Sequence, residues 1–357
     1  MTAAGSELRL RQLDGLRAIA IGLVLVEHLW LQKGDRLAVL PLGYFGVSLF
    51  FVLSGYLITR VLLDARDRCP QRPSRQLWPF FARRFLRIVP PYALMLAALY
   101  AFDLQRTRER IWWHATYTSN WLFAEDAEFY RGGYDRHLWS LSVEEQFYLV
   151  WPLVILLLPR RWVTAAVVAT FAAGPAWRAW ALLMDKPPNW TLLTTPANAD
   201  LLAAGGLVAI VGLRRGWAWA LALLAVPAAI YLSGDHGNWL IGPRMTLNTT
   251  VLAIGLAGVV SLASTGVAGP IGFLLSLRPM VGVGVCSYGA YLVHTSTGPL
   301  ARWVFGDDAD RWLISSSATL FTLGIAWASW LSVERPILFL KRRVPYRETA
   351  CPPSSVT

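Results

Sequence analysis

Apolar runs of about 20 residues recur from one end of this chain to the other, and a bilayer core asks for about that many per crossing helix. The runs fall at 13–32, 43–63, 82–102, 138–158, 162–184, 197–213, 216–233, 246–264, 279–299 and 312–334. The fold class they predict is an all-α polytopic integral membrane protein with about ten transmembrane helices, since a lipid-exposed chain must satisfy its own backbone. Composition agrees: of 357 residues, 55% are hydrophobic and 15% charged, with eighteen tryptophans to populate interfacial belts. No repeat with a period of 20–50 residues is visible.

The net charge of +11 does not point to nucleic acid, because no soluble module offers a basic face. It collects instead in alternate connections, which sets orientation. Arg9 and Arg11 precede the first run. Arg66, Arg68, Arg72, Arg75, Arg83 and Arg84 fill the second connection. Arg160 with Arg161, Arg214 with Arg215, Arg278, and then Lys341, Arg342, Arg343 and Arg347 follow on the same side. The opposite connections are balanced or acidic: Lys33 with Asp35 and Arg36, then Asp307, Asp308 and Asp310 against Arg302 and Arg311. The loop from 103 to 137 mixes both signs, Arg106 and Glu128 among them. Both termini are expected in the cytoplasm, in a multi-pass protein of the cell inner membrane. The basic start imitates a signal peptide, but no small-x-small site follows, so a retained first span is expected. Cys69, Cys286 and Cys351 lack metal spacing and suggest neither a zinc site nor a disulfide framework.

Polar residues inside the spans carry the functional reading. An ionisable side chain at mid-membrane costs roughly 2.5–3.5 kcal/mol on insertion scales, so each one asks for a reason. The first span, from Leu13 to His28, holds Asp14, Arg17, Glu27 and His28. Arg17 and His28 are eleven steps apart, which returns to nearly the same helix face roughly 16 Å further along. Snorkelling of Arg17 and an interfacial His28 is the plain alternative. In the second span Gly46, Ser48, Ser54 and Gly55 favour close helix approach. The third opens Phe81-Ala-Arg-Arg-Phe-Leu-Arg-Ile-Val-Pro-Pro91, with Arg84 and Arg87 on one face and two prolines expected to bend or interrupt the helix. Arginine forks suit phosphate. Arg83 reads as ordinary flanking charge; Arg87 sits too deep for that. The fourth span enters as His137-Leu-Trp-Ser-Leu-Ser-Val-Glu-Glu-Gln146, where Ser142 and Glu145 have capping-box spacing while Glu144, Gln146 and His137 gather at one end. Tyr288, Tyr291 and His294 wind along one side of the ninth span, and Glu334 closes the tenth, where it is expected to meet an arginine.

Taken in order, these segments resemble the acyltransferase family 3 proteins, integral membrane enzymes that O-acylate sugars. The resemblance rests on Leu13-Asp-Gly-Leu-Arg-Ala18 leading to His28, on residues 45–59, and on Arg84-x-x-Arg87 before proline. It continues through Leu138 to Tyr148, Ser-Tyr-Gly-Ala-Tyr-Leu-x-His at 287–294, and Glu334-x-Pro336. Residues 160–275 contribute little beyond Ala199 to Gly206. The resemblance implies about ten spans, an acyl-CoA donor, an essential Arg17–His28 pair and functional Arg84 and Arg87. Many relatives carry a further extracytoplasmic esterase-like domain; a stand-alone form is expected here, with a transmembrane domain over 1–340 and a cytoplasmic tail over 341–357.

The leading expectation is transfer of an acetyl or other short acyl group from cytoplasmic acyl-CoA to a hydroxyl of a sugar-containing acceptor. A thioester is already activated, so no metal is called for. Histidine is the side chain whose unperturbed pKa suits a general base near neutral pH, which makes His28 the candidate; an acyl-histidine is the alternative with the same residue. Arg17, Glu144 and Glu145 are the other catalytic candidates. Arg84, Arg87 and Arg17 are candidates for the donor phosphates, and Tyr288, Tyr291, His294 and Trp139 for the acceptor. The competing class is a transporter using the same Arg, Glu and His groups as a substrate or proton route.

Overall fold

The computed structural model describes residues 3–32, 35–103, 107–126, 129, 133–233 and 243–346, without the side chains of 3–10, 243–245 and 342. Lys33, Arg106, Glu128, Arg347 and the expected tail beyond 346 lie outside the described residues, as do the side chains of Arg9 and Arg342.

Sixteen α-helices order the described chain: α1 (Ala3–Leu25), α2 (Leu42–Arg68), α3 (Leu77–Ala101), α4 (Thr107–Ala115), α5 (Ser119–Ala124), α6 (Leu138–Leu157), α7 (Arg160–Leu183) and α8 (Trp190–Leu193). Then come α9 (Ala199–Val211), α10 (Arg215–Ser233), α11 (Pro243–Thr265), α12 (Gly269–Leu275), α13 (Arg278–Val285), α14 (Ser287–Phe305), α15 (Arg311–Ser329) and α16 (Arg335–Phe339). No strand occurs among the described residues. The chain is an all-α polytopic membrane protein. Among the described residues, six helices are long and apolar enough to cross a bilayer by length and composition. Helices α1, α3 and α14 are of span length too, and they carry Arg17, Arg84, Arg87 and His294.

Helix α2 is the centre of the bundle, packed on α1, α6, α9 and α11, with α7 behind α9, α10 on α11 and α14 on α15. Its small residues do what their pattern predicts. A Cβ at Gly55 would lie 1.9 Å from the Leu202 carbonyl oxygen, and one at Gly205 would lie 2.0 Å from that of Val52. These two glycines let α2 and α9 touch backbone to backbone, the contact that substitutes for a hydrophobic driving force inside lipid.

Four expectations need correction. The ninth run does not form one helix over 279–299: α13 stops at Val285 and α14 restarts at Ser287. Pro90 and Pro91 do not interrupt α3, which runs through them. Their missing N–H groups deprive the Leu86 and Arg87 carbonyls of helix donors without ending the helix. Ser142 is no cap; α6 begins at Leu138, and the Ser142 hydroxyl donates to the Leu138 carbonyl at 3.2 Å. Among the cysteines, Cys286 is a free buried thiol, whereas Cys69 is disulfide-bonded, which scattered spacing could not indicate.

Two helices end in π-helical turns: α1 runs into Val26–Trp30 and α15 into Trp330–Glu334. Such turns widen the helix locally and recur at functional positions. Here they carry Glu27 and His28 in one case and Glu334 in the other.

Candidate functional site

A cavity of about 380 Å³ opens between α1, α2, α3, α6, α14 and the segment after α16. Leu53, Leu57, Ile58 and Phe80 give it apolar wall, and five cations reach it: Arg17 from α1, Arg83, Arg84 and Arg87 from α3, and Lys341. Only three carboxyls face them, from Asp14, Glu144 and Glu145. Arg17 Nη1 donates to Asp14 Oδ1 at 3.3 Å. The Glu144 carboxylate instead accepts from the Ser54 hydroxyl at 2.6 Å. Arg84 lays its guanidinium over the Tyr148 ring, 4.1 Å from the centroid, a cation–π contact that leaves its N–H groups for another partner. Its Nε is buried and has no partner among the described residues. A buried donor left unmade is costly, so this end of the cavity has capacity for an anion.

The helical period brought Arg84 and Arg87 to one face, and both line the cavity as expected of that face. The Asp14-Gly15 step has a backbone reason. A Cβ on Gly15 would lie 2.2 Å from the Leu275 carbonyl oxygen, and one on Gly284 would lie 1.9 Å from that of Asp14. Close packing of α1 on α12 and α13 thus fixes the register that aims Asp14 and Arg17 at the cavity.

The cavity's other wall holds Ser140, Ser287, Tyr288 and Tyr291. The Tyr288 hydroxyl donates to the Ile88 carbonyl at 2.9 Å. The Tyr291 hydroxyl donates to the His137 carbonyl at 3.0 Å and lies 2.6 Å from Ser140 Oγ. Behind Tyr291 stand three imidazoles. His294 meets His28 edge to face at 5.1 Å between centroids, and His137 in the same manner at 5.0 Å. His28 and His294 are therefore brought together, but neither is part of the cavity wall. Among the described residues no three His, Cys, Asp or Glu side chains are arranged to hold a metal.

Hydrogen bonds fix the tautomers here. His28 Nδ1 lies 2.9 Å from the Val24 carbonyl, and His294 Nδ1 lies 2.7 Å from that of Tyr291. A carbonyl only accepts, so each Nδ1 carries a proton, and in the neutral ring Nε2 is then the nitrogen with the lone pair. Thr295 spends its hydroxyl proton on the Tyr134 carbonyl at 2.9 Å, so His137 Nδ1, 3.3 Å away, is also a donor. Nε2 of His137 and Nε2 of His294 are buried without partners among the described residues. Glu27, beside His28, accepts from the Gly43 N–H at 2.8 Å, where it meets one of the unpaired donors at the start of α2. Gly43 leaves room for this: a Cβ there would lie 3.0 Å from Glu27 Oε1 and 3.2 Å from His28 Cε1, so both side chains would have to give slightly.

The remaining candidates scatter. Glu144, Glu145, Gln146 and His137 do not form one cluster; Glu144 and Glu145 face the cavity and His137 the imidazoles. Gln146 donates to the Tyr117 carbonyl at 2.7 Å and to Asn120 Oδ1 at 2.9 Å, tying α6 to α5. Trp139 is buried edge-on to Phe51 at 6.0 Å and lies outside the cavity wall. Glu334 accepts from the Ser329 hydroxyl at 3.5 Å, and a Cβ on Gly289 would lie 3.3 Å from its Oε1. Arg83, read as flanking charge, donates to the carbonyls of Lys341 at 3.0 Å and Val344 at 3.2 Å.

Sequence reasoning missed Ser54 as the partner of Glu144, and it missed Lys341 and Tyr346 in the cavity wall. It also missed Arg178, fully buried in α7 and paired with Asp200 of α9. The signal for that pair was present, an arginine and an aspartate each inside an apolar run.

The fold and site define an all-α membrane protein with a cation-lined cavity inside its helical bundle. Residues 10–333 match the family model Acyl_transf_3, described as an acyltransferase domain, and the chain belongs to that family. It is similar to the peptidoglycan O-acetyltransferase OatA of Listeria monocytogenes, 28% identical over an alignment of 367 positions, gaps included, that covers 91% of this chain and 55% of the relative. The putative peptidoglycan O-acetyltransferase YrhL of Bacillus subtilis is 28% identical over 316 residues, 79% of this chain and 47% of that one. The O-acetyltransferase OatA of Staphylococcus aureus is 34% identical over 173 residues, 44% of this chain and 26% of the relative. The chain thus spans about half or less of the length of these curated relatives. No solved structure matches it.

Proposed function

We propose that this protein is a membrane O-acyltransferase that moves an acetyl or other short acyl group from acyl-CoA to a hydroxyl of a sugar-containing acceptor. Peptidoglycan, the acceptor in the names of two relatives, is the first one to test. The observation that carries the reading is the cavity, where five cations meet three carboxyls inside an apolar bundle. Clustered phosphates of coenzyme A answer that imbalance. The protein sits in the inner membrane as a multi-pass bundle with both termini in the cytoplasm, and residues 1–340 form its transmembrane domain. The arginine end of the cavity then faces the cytosolic donor pool.

In this reading Arg84 and Arg87 hold the donor, with Arg17 kept in place by Asp14. The thioester is directed towards Tyr291 and the imidazoles behind it. An acceptor hydroxyl approaching from the far side gives its proton to His28 Nε2, the nitrogen that the Val24 carbonyl leaves unprotonated. The hydroxyl oxygen bonds to the thioester carbon, the carbon–sulfur bond breaks, and the imidazolium returns the proton to the departing thiolate. Because His28 is not in the cavity wall, the Tyr291 side chain must yield when both substrates are present; catalytic contacts commonly tighten only then. Glu144, already bonded to Ser54, orients groups beside the thioester.

The test is release of free thiol from acetyl-CoA by purified protein, with and without peptidoglycan fragments. His28→Ala should lower turnover about 10²–10⁴-fold, the usual contribution of a positioned base, while acetyl-CoA still binds. A carrier would release no thiol at all. Wild-type turnover in His28→Ala would remove the chemistry from this helix.

A further inference from the structure

The segment that follows α16 does not leave the bundle. A 3-10 turn over Leu340–Arg343 folds it back across the arginine end of the cavity, and Lys341 and Tyr346 become part of the cavity wall. One side chain fastens it there. Arg83 donates to the backbone carbonyls of Lys341 and Val344, at 3.0 and 3.2 Å, and its guanidinium lies 5.2 Å from the centre of the Tyr346 ring. Arg83 is therefore committed to the strap, which leaves Arg84 and Arg87 for whatever occupies the cavity.

The strap places a fourth cation beside these three. Burial and then the charges of Arg87, Arg84 and Arg83 push the Lys341 ammonium down to about 7. The charges that act on that amine most strongly are all positive. Four cations on one rim repel one another, and chain geometry alone gives no reason to bring a lysine into them. An anion with several charged oxygens would turn the repulsion into attraction and restore the full ammonium.

We propose that Lys341, together with Arg84 and Arg87, binds the phosphates of the acyl-CoA donor, and that residues 340–346 form a strap which Arg83 clips over it. This rests on the donor reading above and deepens it. The rim would then read the phosphorylated nucleotide end of the donor, and a thioester lacking phosphates would lose what Lys341 supplies. Arg83 acts through the strap, as a positioning residue.

The experiment compares acetyl-CoA with S-acetyl-pantetheine, which keeps the thioester and lacks every phosphate. Transfer is measured with the purified full-length protein as kcat/KM for each donor. Wild type should prefer acetyl-CoA. In Lys341→Ala the preference should shrink on the order of tenfold, the loss of one charge-assisted contact, through KM for acetyl-CoA. Lys341→Arg, which keeps the charge and the donors, should restore it. A Lys341→Ala protein that loses activity equally with both donors, or one that keeps the wild-type preference, overturns the assignment. Wild-type protein that uses neither donor overturns the donor reading itself, so the two failures are distinguishable.

Discussion

Arg178 and Arg84 are both arginines inside a membrane bundle, and their surroundings are opposites. Arg178 is fully buried and fully answered. Its Nη2 meets Asp200 Oδ2 at 2.6 Å and its Nη1 meets Oδ1 at 3.1 Å, a fork on a carboxylate. The Thr246 carbonyl, the Thr250 hydroxyl and the Ala197 carbonyl take further N–H groups. Thr250 donates back to Asp200 at 2.7 Å, and Gly174 leaves the room Asp200 needs, since a Cβ there would lie 2.7 Å from its carboxyl. Arg84 has a ring face on one side and an unpartnered Nε. Arg178 closes its own network and staples α7, α9 and α11 together. Arg84 and its neighbours surround a cavity. Intramembrane charge therefore divides here into groups whose N–H donors are all answered inside the chain and groups that keep an unpartnered N–H at a cavity.

Substitution should separate the two. Breaking a buried pair by removing one partner leaves the other charge uncompensated, at a cost of about 3–5 kcal/mol. Arg178→Ala should therefore lower thermal stability sharply and reduce assembled protein in the membrane. A melting curve in detergent checks this, and a variant with wild-type stability would break the contrast between the two sites.

The smallest effect belongs to a third kind of arginine, answered but in the open. Arg311 Nη2 lies 2.8 Å from Asp35 Oδ2, with both side chains about a third exposed. The Arg311 hydrogen bond holds the Asp35 carboxyl below its usual value near 3.8. A carboxyl depressed in the folded state stabilises above its unfolded pKa, and the contribution is lost as pH falls through the folded one. Arg311→Ala should thus melt slightly lower than wild type near neutral pH, and the two should converge well below pH 4. A difference that persisted in acid would place the effect elsewhere, for example in the Arg311 contact with the Trp30 carbonyl.

The contrast also explains what the sequence could reveal. Span-length apolarity announced the all-α membrane class, and the glycines of the second run announced close packing, because both depend on residues near one another in the chain. Arg84 and Arg87 were legible for the same reason, through the helical period. Whether an arginine is answered depends on residues far away in sequence, Asp200 for Arg178 and the Lys341 strap for Arg83. The two π-helical turns were likewise invisible, since each needs only one extra residue within a helical pattern. One of them bears on the predicted shared face of Arg17 and His28: that face assumes a regular helix, and the turn at Val26–Trp30 departs from it. The structure lines the cavity with Arg17 and puts His28 against His294.

If Arg84 and Arg87 hold the donor, the purified protein binds coenzyme A at one site in an equilibrium titration. The affinity at that site should fall with added salt and be lost in the double substitution Arg84→Gln with Arg87→Gln. Each removed charge-assisted contact should cost about 1.5–3 kcal/mol, in a protein that melts as wild type does. Undiminished affinity in that stable double variant would contradict that assignment.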